Sequence, residues 1–138
     1  MSELLSVQTI RNYLVALFIF LAIDMVWLVL VARPFYSKHL GYLMAEKVRL
    51  LPALIFYMIF VAGILFFVVY PAVSKGQWTY ALFAGIFYGL ITYATYDLTN
   101  LSTVKNWPML VTVVDLVWGC LVSALTSVIS YFVISKWK

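Results

Sequence analysis

Charge is what this sequence has least of. Only 10% of its 138 residues are charged, nine Lys or Arg against five Asp or Glu. Soluble domains of average usage carry about a quarter charged residues, so a water-soluble fold is excluded. The net charge of +4 comes from residues between apolar runs. It reads as charge flanking a membrane rather than as a basic groove with interleaved aromatics, and no nucleic-acid partner is expected. Cysteine is down to Cys120, inside an apolar run, which excludes an intramolecular disulfide. With His39 as the one histidine, a zinc centre lacks its ligand set. There is no nucleophile motif, His cluster or nucleotide fingerprint. No cofactor and no metal are expected.

What the chain has in quantity is apolar surface: 66% hydrophobic and 18% aromatic residues, with a mean hydropathy of +1.06. Four runs are long enough to cross the hydrocarbon, for which about 20 residues suffice. They cover residues 12–32, 51–69, 78–98 and 108–134. The first exceeds a signal-peptide core, carries Asp24 in its middle and is followed by Arg33-Pro34 instead of a small-residue cleavage site, so it is expected to be a retained span. Residues 1–11 form a polar lead along the interface. Arg33-Pro34 closes span one, Tyr70-Pro71 ends span two, and Pro108 opens span four, where its missing N–H costs nothing. In the first connection, Lys38, His39, Glu46, Lys47 and Arg49 alternate with aromatic and aliphatic residues at spacings that suit an amphipathic helix on the bilayer surface. Lys136, Trp137 and Lys138 anchor the tail at the interface. The predicted fold is an all-α membrane protein: a single four-transmembrane-helix bundle with a short amphipathic interfacial helix in the first connection.

The three Asp residues, Asp24, Asp97 and Asp115, all fall inside apolar runs. An ionised Asp at the centre of a lone span costs about 2.5 to 3.5 kcal/mol on insertion scales, so three of them are expected to face the bundle interior and to serve a purpose. Asp24 lies nine residues before Arg33 and Asp115 seven after Pro108. At ~1.5 Å per residue both sit roughly 10 to 14 Å below the surface bearing the first and third connections, with Asp97 shallower. A purely structural role, tying helices together by hydrogen bonds, competes with a site.

Two helical faces support the inward placement. In span three Gly85, Gly89, Thr92, Tyr96, Asn100 and Thr103 share a stripe, with Tyr93 and Asp97 on its shoulder. In span four Thr112, Asp115, Gly119, Ser123, Thr126 and Ser130 share another. Gly85, Gly89 and Gly119 are the expected helix-packing residues. Asp24-Met25-Val26-Trp27 is echoed by Asp115-Leu116-Val117-Trp118 in an antiparallel span, so each carboxylate can meet the other's indole if spans one and four are neighbours. The expected site is a pocket of Asp24, Asp97 and Asp115 with Tyr93, Tyr96, Asn100, Trp27 and Trp118.

Ile23-Asp24-Met25-Val26-Trp27-Leu28, Phe35-Tyr36, Leu40-Gly41, Trp107-Pro108, Val114-Asp115-Leu116-Val117-Trp118-Gly119 and above all Tyr96-Asp97-Leu98-Thr99-Asn100-Leu101 stand together. With them the chain resembles, over nearly its whole length, a bacterial family of small four-span membrane proteins catalogued as a domain of unknown function, number twenty-one seventy-seven. The resemblance implies a bacterial inner-membrane protein and brings no reaction with it.

The reading favoured by these residues is a membrane protein that binds or transports a cation, a proton or an amphipathic, lipidic ligand, with catalysis the less favoured role. The alternatives are a membrane enzyme using paired carboxylates as acid and base on a lipid substrate, and an accessory subunit. A homodimer through the Gly85/Gly89 face, or another face, suits so small a bundle. Four spans put both termini on one side. Positive charges divide four against five between the two sides, and discounting a surface helix in the first connection tips the balance to cytoplasmic termini.

Overall fold

A computed structural model describes residues 7–137. Residues 1–6 and Lys138, which carry most of the expected polar lead and one of the tail anchors, lie outside the described residues. Those described form helices joined by short turns and no strand. In order these are α1 (Val7–Trp27), α2 (Arg33–Leu40), α3 (Leu50–Ile64), α4 (Tyr70–Lys75), α5 (Trp78–Thr103) and α6 (Met109–Lys136). Because α1 runs on into α2 and α3 into α4, they make four rods long and apolar enough to cross a membrane: Val7–Leu43, Leu50–Lys75, Trp78–Thr103 and Met109–Lys136.

The joins differ from the sequence expectation. Arg33-Pro34 and Tyr70-Pro71 do not stop their helices. Each is preceded by a five-residue π-helical turn, Leu28–Ala32 and Leu65–Val69. The Arg33 N–H bonds back to the Leu28 carbonyl, and the Tyr70 N–H to the Leu65 carbonyl. A proline ring inside a regular α-helix collides with the carbonyl four residues earlier and removes a hydrogen bond. The wider turn takes in an extra residue and relieves that collision, a common device at such points in helices. The amphipathic stretch of the first connection is helical over Arg33–Leu40, but it leaves the first rod without a break.

α6 is the most enclosed rod. α5 packs along it, α1 lies against another side, α3 leans on α1, and the Leu65–Val69 turn wedges against α5 and α6. Phe20, Phe60, Val61, Ile64 and Val122 make the main apolar core. On the outside Phe18, Phe83 and Val117 are exposed, as expected of side chains that face lipid. Asn12 accepts from the Trp137 indole at 2.9 Å, and the Arg11 guanidinium sits 4.4 Å over that ring, so this part of the expected polar lead belongs to α1 and docks on the end of α6.

The α5–α6 contact is made by small residues. A methyl group added to Gly85 would lie 3.1 Å from the Ala124 Cα and 2.9 Å from the Ser127 hydroxyl, and one on Gly89 would collide with the Gly119 carbonyl. The Gly85/Gly89 face is therefore covered by α6 of the same chain, which corrects the expectation of a dimer through it. Gly76, at φ 65°, closes α4 in the left-handed conformation, and its N–H bonds back to the Ala72 and Val73 carbonyls. Gln77 then leads directly into α5.

Candidate functional site

Between the rods, at the end bearing the first and third connections, lies a cavity of about 610 Å³. α1 contributes Asp24 and Trp27, α3 Phe56 and Tyr57, α5 Tyr93, Tyr96 and Asp97, and α6 Asp115 and Trp118. Tyr36, Leu40 and Met44 come over it from the first connection. That roof is held in place by an apolar cluster in which Leu40 meets Trp107 and Val111. A 2.7 Å hydrogen bond from the Tyr42 hydroxyl to the Asn106 carbonyl ties it further.

Asp97 is wholly buried, whereas the neighbouring Tyr96 is 60% exposed. This reverses the expected faces, in which Tyr96 and Asn100 take the packed stripe and Asp97 its shoulder. The reason lies in the line of contact. α5 buries Ala81, Gly85, Gly89 and Asp97, with Tyr93 half-buried between them, so the contact steps by four along a row inclined to the helix axis rather than along a stripe parallel to it. Tyr96 keeps a place on the cavity rim, edge-on to Trp107 with ring centroids 5.9 Å apart. Asn100 lies beside Tyr96 and does not line the cavity.

The Asp97 and Asp115 carboxyl groups adjoin. The Tyr36 hydroxyl donates to Asp115. Neither oxygen of Asp97 meets a donor among the described residues. The backbone around the pair is fixed by Thr112, whose hydroxyl accepts from the Trp107 indole at 3.0 Å and reaches the Asp97 carbonyl at 3.4 Å. Asp24 stands apart beside the Tyr57 hydroxyl and the Trp118 indole. The Trp118 N–H approaches it without closing an aligned hydrogen bond. The described residues thus gather no group of three acidic, His or Cys side chains fit to hold a metal ion. The three carboxylates line one cavity, Asp97 and Asp115 together and Asp24 apart from them.

Only one of the two indole pairings suggested by the repeated Asp-x-Val-Trp has its partner at hand. Trp118 lies by Asp24, whereas Trp27 lies flat on Trp118, centroids 4.4 Å apart and planes 6° from parallel. Gly119 serves Tyr93, whose ring occupies the space a side chain at 119 would fill. Tyr36 and Tyr57, which sequence reasoning left out of the site, supply the hydroxyls beside Asp115 and Asp24. A usable signal existed for Tyr57. It lies about two turns into α3 and Asp115 about two turns into α6, both counted from the same end of the bundle at ~3.6 residues per turn. A phenol at the depth of a carboxylate is a ready donor.

None of the described residues lining the cavity is basic. Its walls are aromatic, its acids have few donors, and its volume lies within the range of about 300 to 1,000 Å³ typical of small-molecule sites. Such a space can take a positive charge against the carboxylates, with rings around the cation and apolar contact for the rest of a ligand.

Comparison with curated proteins and with solved structures yields no match. Against protein families, residues 9–132 match the model described as "Predicted membrane protein (DUF2177)". The chain belongs to this family of membrane proteins.

Proposed function

We propose that the protein binds, and in the membrane transports or presents, a small amphipathic molecule bearing a positively charged amine. The observation that carries this reading is the Asp97–Asp115 pair: Asp97 is buried and meets no donor of another residue type among the described residues, and none of the described residues lining the cavity of about 610 Å³ is basic. Two adjoining buried carboxyl groups cannot both carry a charge at little cost, and a cationic ligand or a proton is what offsets that cost. Trp27, Trp118, Tyr93 and Tyr96 offer ring faces and edges to an ammonium group. The same reading sets the protein in a bacterial inner membrane with cytoplasmic termini, on the family resemblance and the charge balance. A homodimer, if formed, uses a face other than Gly85/Gly89.

The test compares dodecylamine with dodecanol on the purified protein in detergent, using ligand-dependent thermal stabilisation to obtain half-saturating concentrations. Binding of the amine at least tenfold tighter than the alcohol is expected, with that preference lost in the Asp97→Asn, Asp115→Asn double variant. Equal affinity for amine and alcohol in the wild type would sink the reading. Proteoliposome flux of the amine then separates transport from binding alone.

A second reading rests on the adjoining Asp97 and Asp115 with the Tyr36 hydroxyl on one of them. Two carboxyl groups that share a proton can give it to and take it from a bound substrate. This is the arrangement an enzyme, or a subunit assisting one, would use on a lipid. Lipid extracts from cells lacking the protein that match wild type would count against it.

A further inference from the structure

The stacked Trp27 and Trp118 rings border two cavities. On one side is the acid-lined pocket. On the other is a groove of about 240 Å³ formed by Trp27, Val113, Val114, Val117, Trp118 and Leu121. Val113, Val117 and Leu121 step by four along α6, and all three are exposed on the outer surface of the bundle. In a bilayer this row faces acyl chains. The groove therefore starts at the depth of Asp115 and follows α6 away from the roofed end, with the paired indoles on its border with the acid-lined pocket.

We infer that the pocket's ligand is a lipid whose amine lies among the carboxylates and whose hydrocarbon chain leaves past the Trp27–Trp118 pair into the α1–α6 groove. The inference rests on the amine-binding reading above and narrows its ligand class. Three features argue for this occupant. The two spaces share the same two indoles and so adjoin at that pair, where a chain leaving one enters the other. The groove opens onto hydrocarbon, where an acyl chain leaves one apolar surface for another at little cost. None of the described residues lining the pocket is basic, so a phosphate beside the amine would face Asp24, Asp97 and Asp115 without a protein counter-charge. The lipid is therefore an amine whose head carries no phosphate, such as a long-chain base. Trp27 and Trp118 are positioning residues that line the passage between head and tail.

The experiment compares dodecylamine, butylamine and dodecylphosphoethanolamine on purified wild type, Val117→Trp and Asp97→Asn, using the half-saturating concentration for thermal stabilisation in detergent. Val117 points outward, so a large ring there fills the groove without entering the core. Val113→Trp, one turn away in the same row, is the second variant should the first fail to fold. The groove variants are expected to weaken dodecylamine at least tenfold and to leave butylamine within twofold. Dodecylphosphoethanolamine should bind wild type at least tenfold more weakly than dodecylamine does. Unchanged dodecylamine binding in both groove variants, or an equal loss for both amines, overturns the tail's location while leaving the amine pocket standing. Asp97→Asn without effect on either amine overturns the pocket reading itself, and the inference with it. Equal binding of the phosphate-bearing probe overturns the assignment of a phosphate-free head.

Discussion

The two ends of the α5–α6 pair carry unsatisfied polar groups for opposite reasons. At one end Ser123 and Ser127 are buried, and their hydroxyls have no hydrogen-bond partner among the described residues. There the side chains are small because backbones touch: Gly89 lies on Gly119, and Gly85 on Ala124 and Ser127. At the other end Asp97 is equally buried and meets no donor of another residue type among the described residues, yet it stands beside Asp115 in the wall of a cavity. An unpaired buried hydroxyl costs on the order of 1 to 3 kcal/mol, and an unpaired carboxylate far more. The hydroxyls are a tolerable consequence of choosing small residues for close approach. The carboxylate has no such packing benefit, and its end of the pair is the one to which the proposal above assigns a ligand.

The contrast can be broken or sharpened by substitution. Gly89→Leu should have the largest effect, because the new side chain meets the Gly119 carbonyl. Overpacking a rigid contact costs about 1 to 3 kcal/mol, occasionally more, and backbone against backbone belongs at the top of that range. A thermal melt or the yield of monodisperse protein reads it. A variant as stable as wild type would show that the tight end does not hold the pair together. Asp97→Asn comes next and acts on binding: amine affinity falls at least tenfold, equivalent to about 1.4 kcal/mol, while the melting temperature stays level or rises. A melt that drops sharply with binding retained would recast Asp97 as a structural group.

Tyr36→Phe removes the donor to Asp115 and loosens the roof, for an expected loss of about 1 kcal/mol of stability and faster proteolysis within the first connection. An unchanged digestion pattern would mean that the Leu40–Trp107–Val111 cluster holds the roof unaided. Ser127→Ala should cost no stability and is expected to give a gain of up to about 1 kcal/mol, since it removes a buried hydroxyl that meets no partner among the described residues. A loss of stability would reveal a hydrogen bond at the tight end and weaken the comparison.

Four apolar runs and three misplaced acids were legible in the sequence, because length, hydropathy and charge each act residue by residue. The orientation of α5 was not. Counting at 100° per residue gathers Gly85, Gly89, Thr92 and Tyr96 on one stripe, but two helices that approach through a Gly-x-x-x-Gly step cross at an angle. The contact then follows the step of four to Asp97. The run past Pro34 and Pro71 was hidden for a similar reason. A proline marks where regular α-geometry fails without saying whether the chain ends the helix or widens it. Tyr57 was missed because a phenol in an apolar run resembles any other aromatic until its depth is compared with that of an acid in another span.

The π turn at Leu28–Ala32 also acts as a phase shifter. Its extra residue is taken up within the turn, so everything after it sits about 100° behind the place an unbroken α-helix would give it. Tyr36 meets Asp115 in that delayed phase. Closing the turn to regular α-geometry with the residue count unchanged would therefore turn the roof's inner face away from the acids, whereas deleting one residue as the turn closes would leave that face where it is. In this chain the aim of the roof is set by the width of a turn upstream of it, a variable independent of which side chains the roof carries.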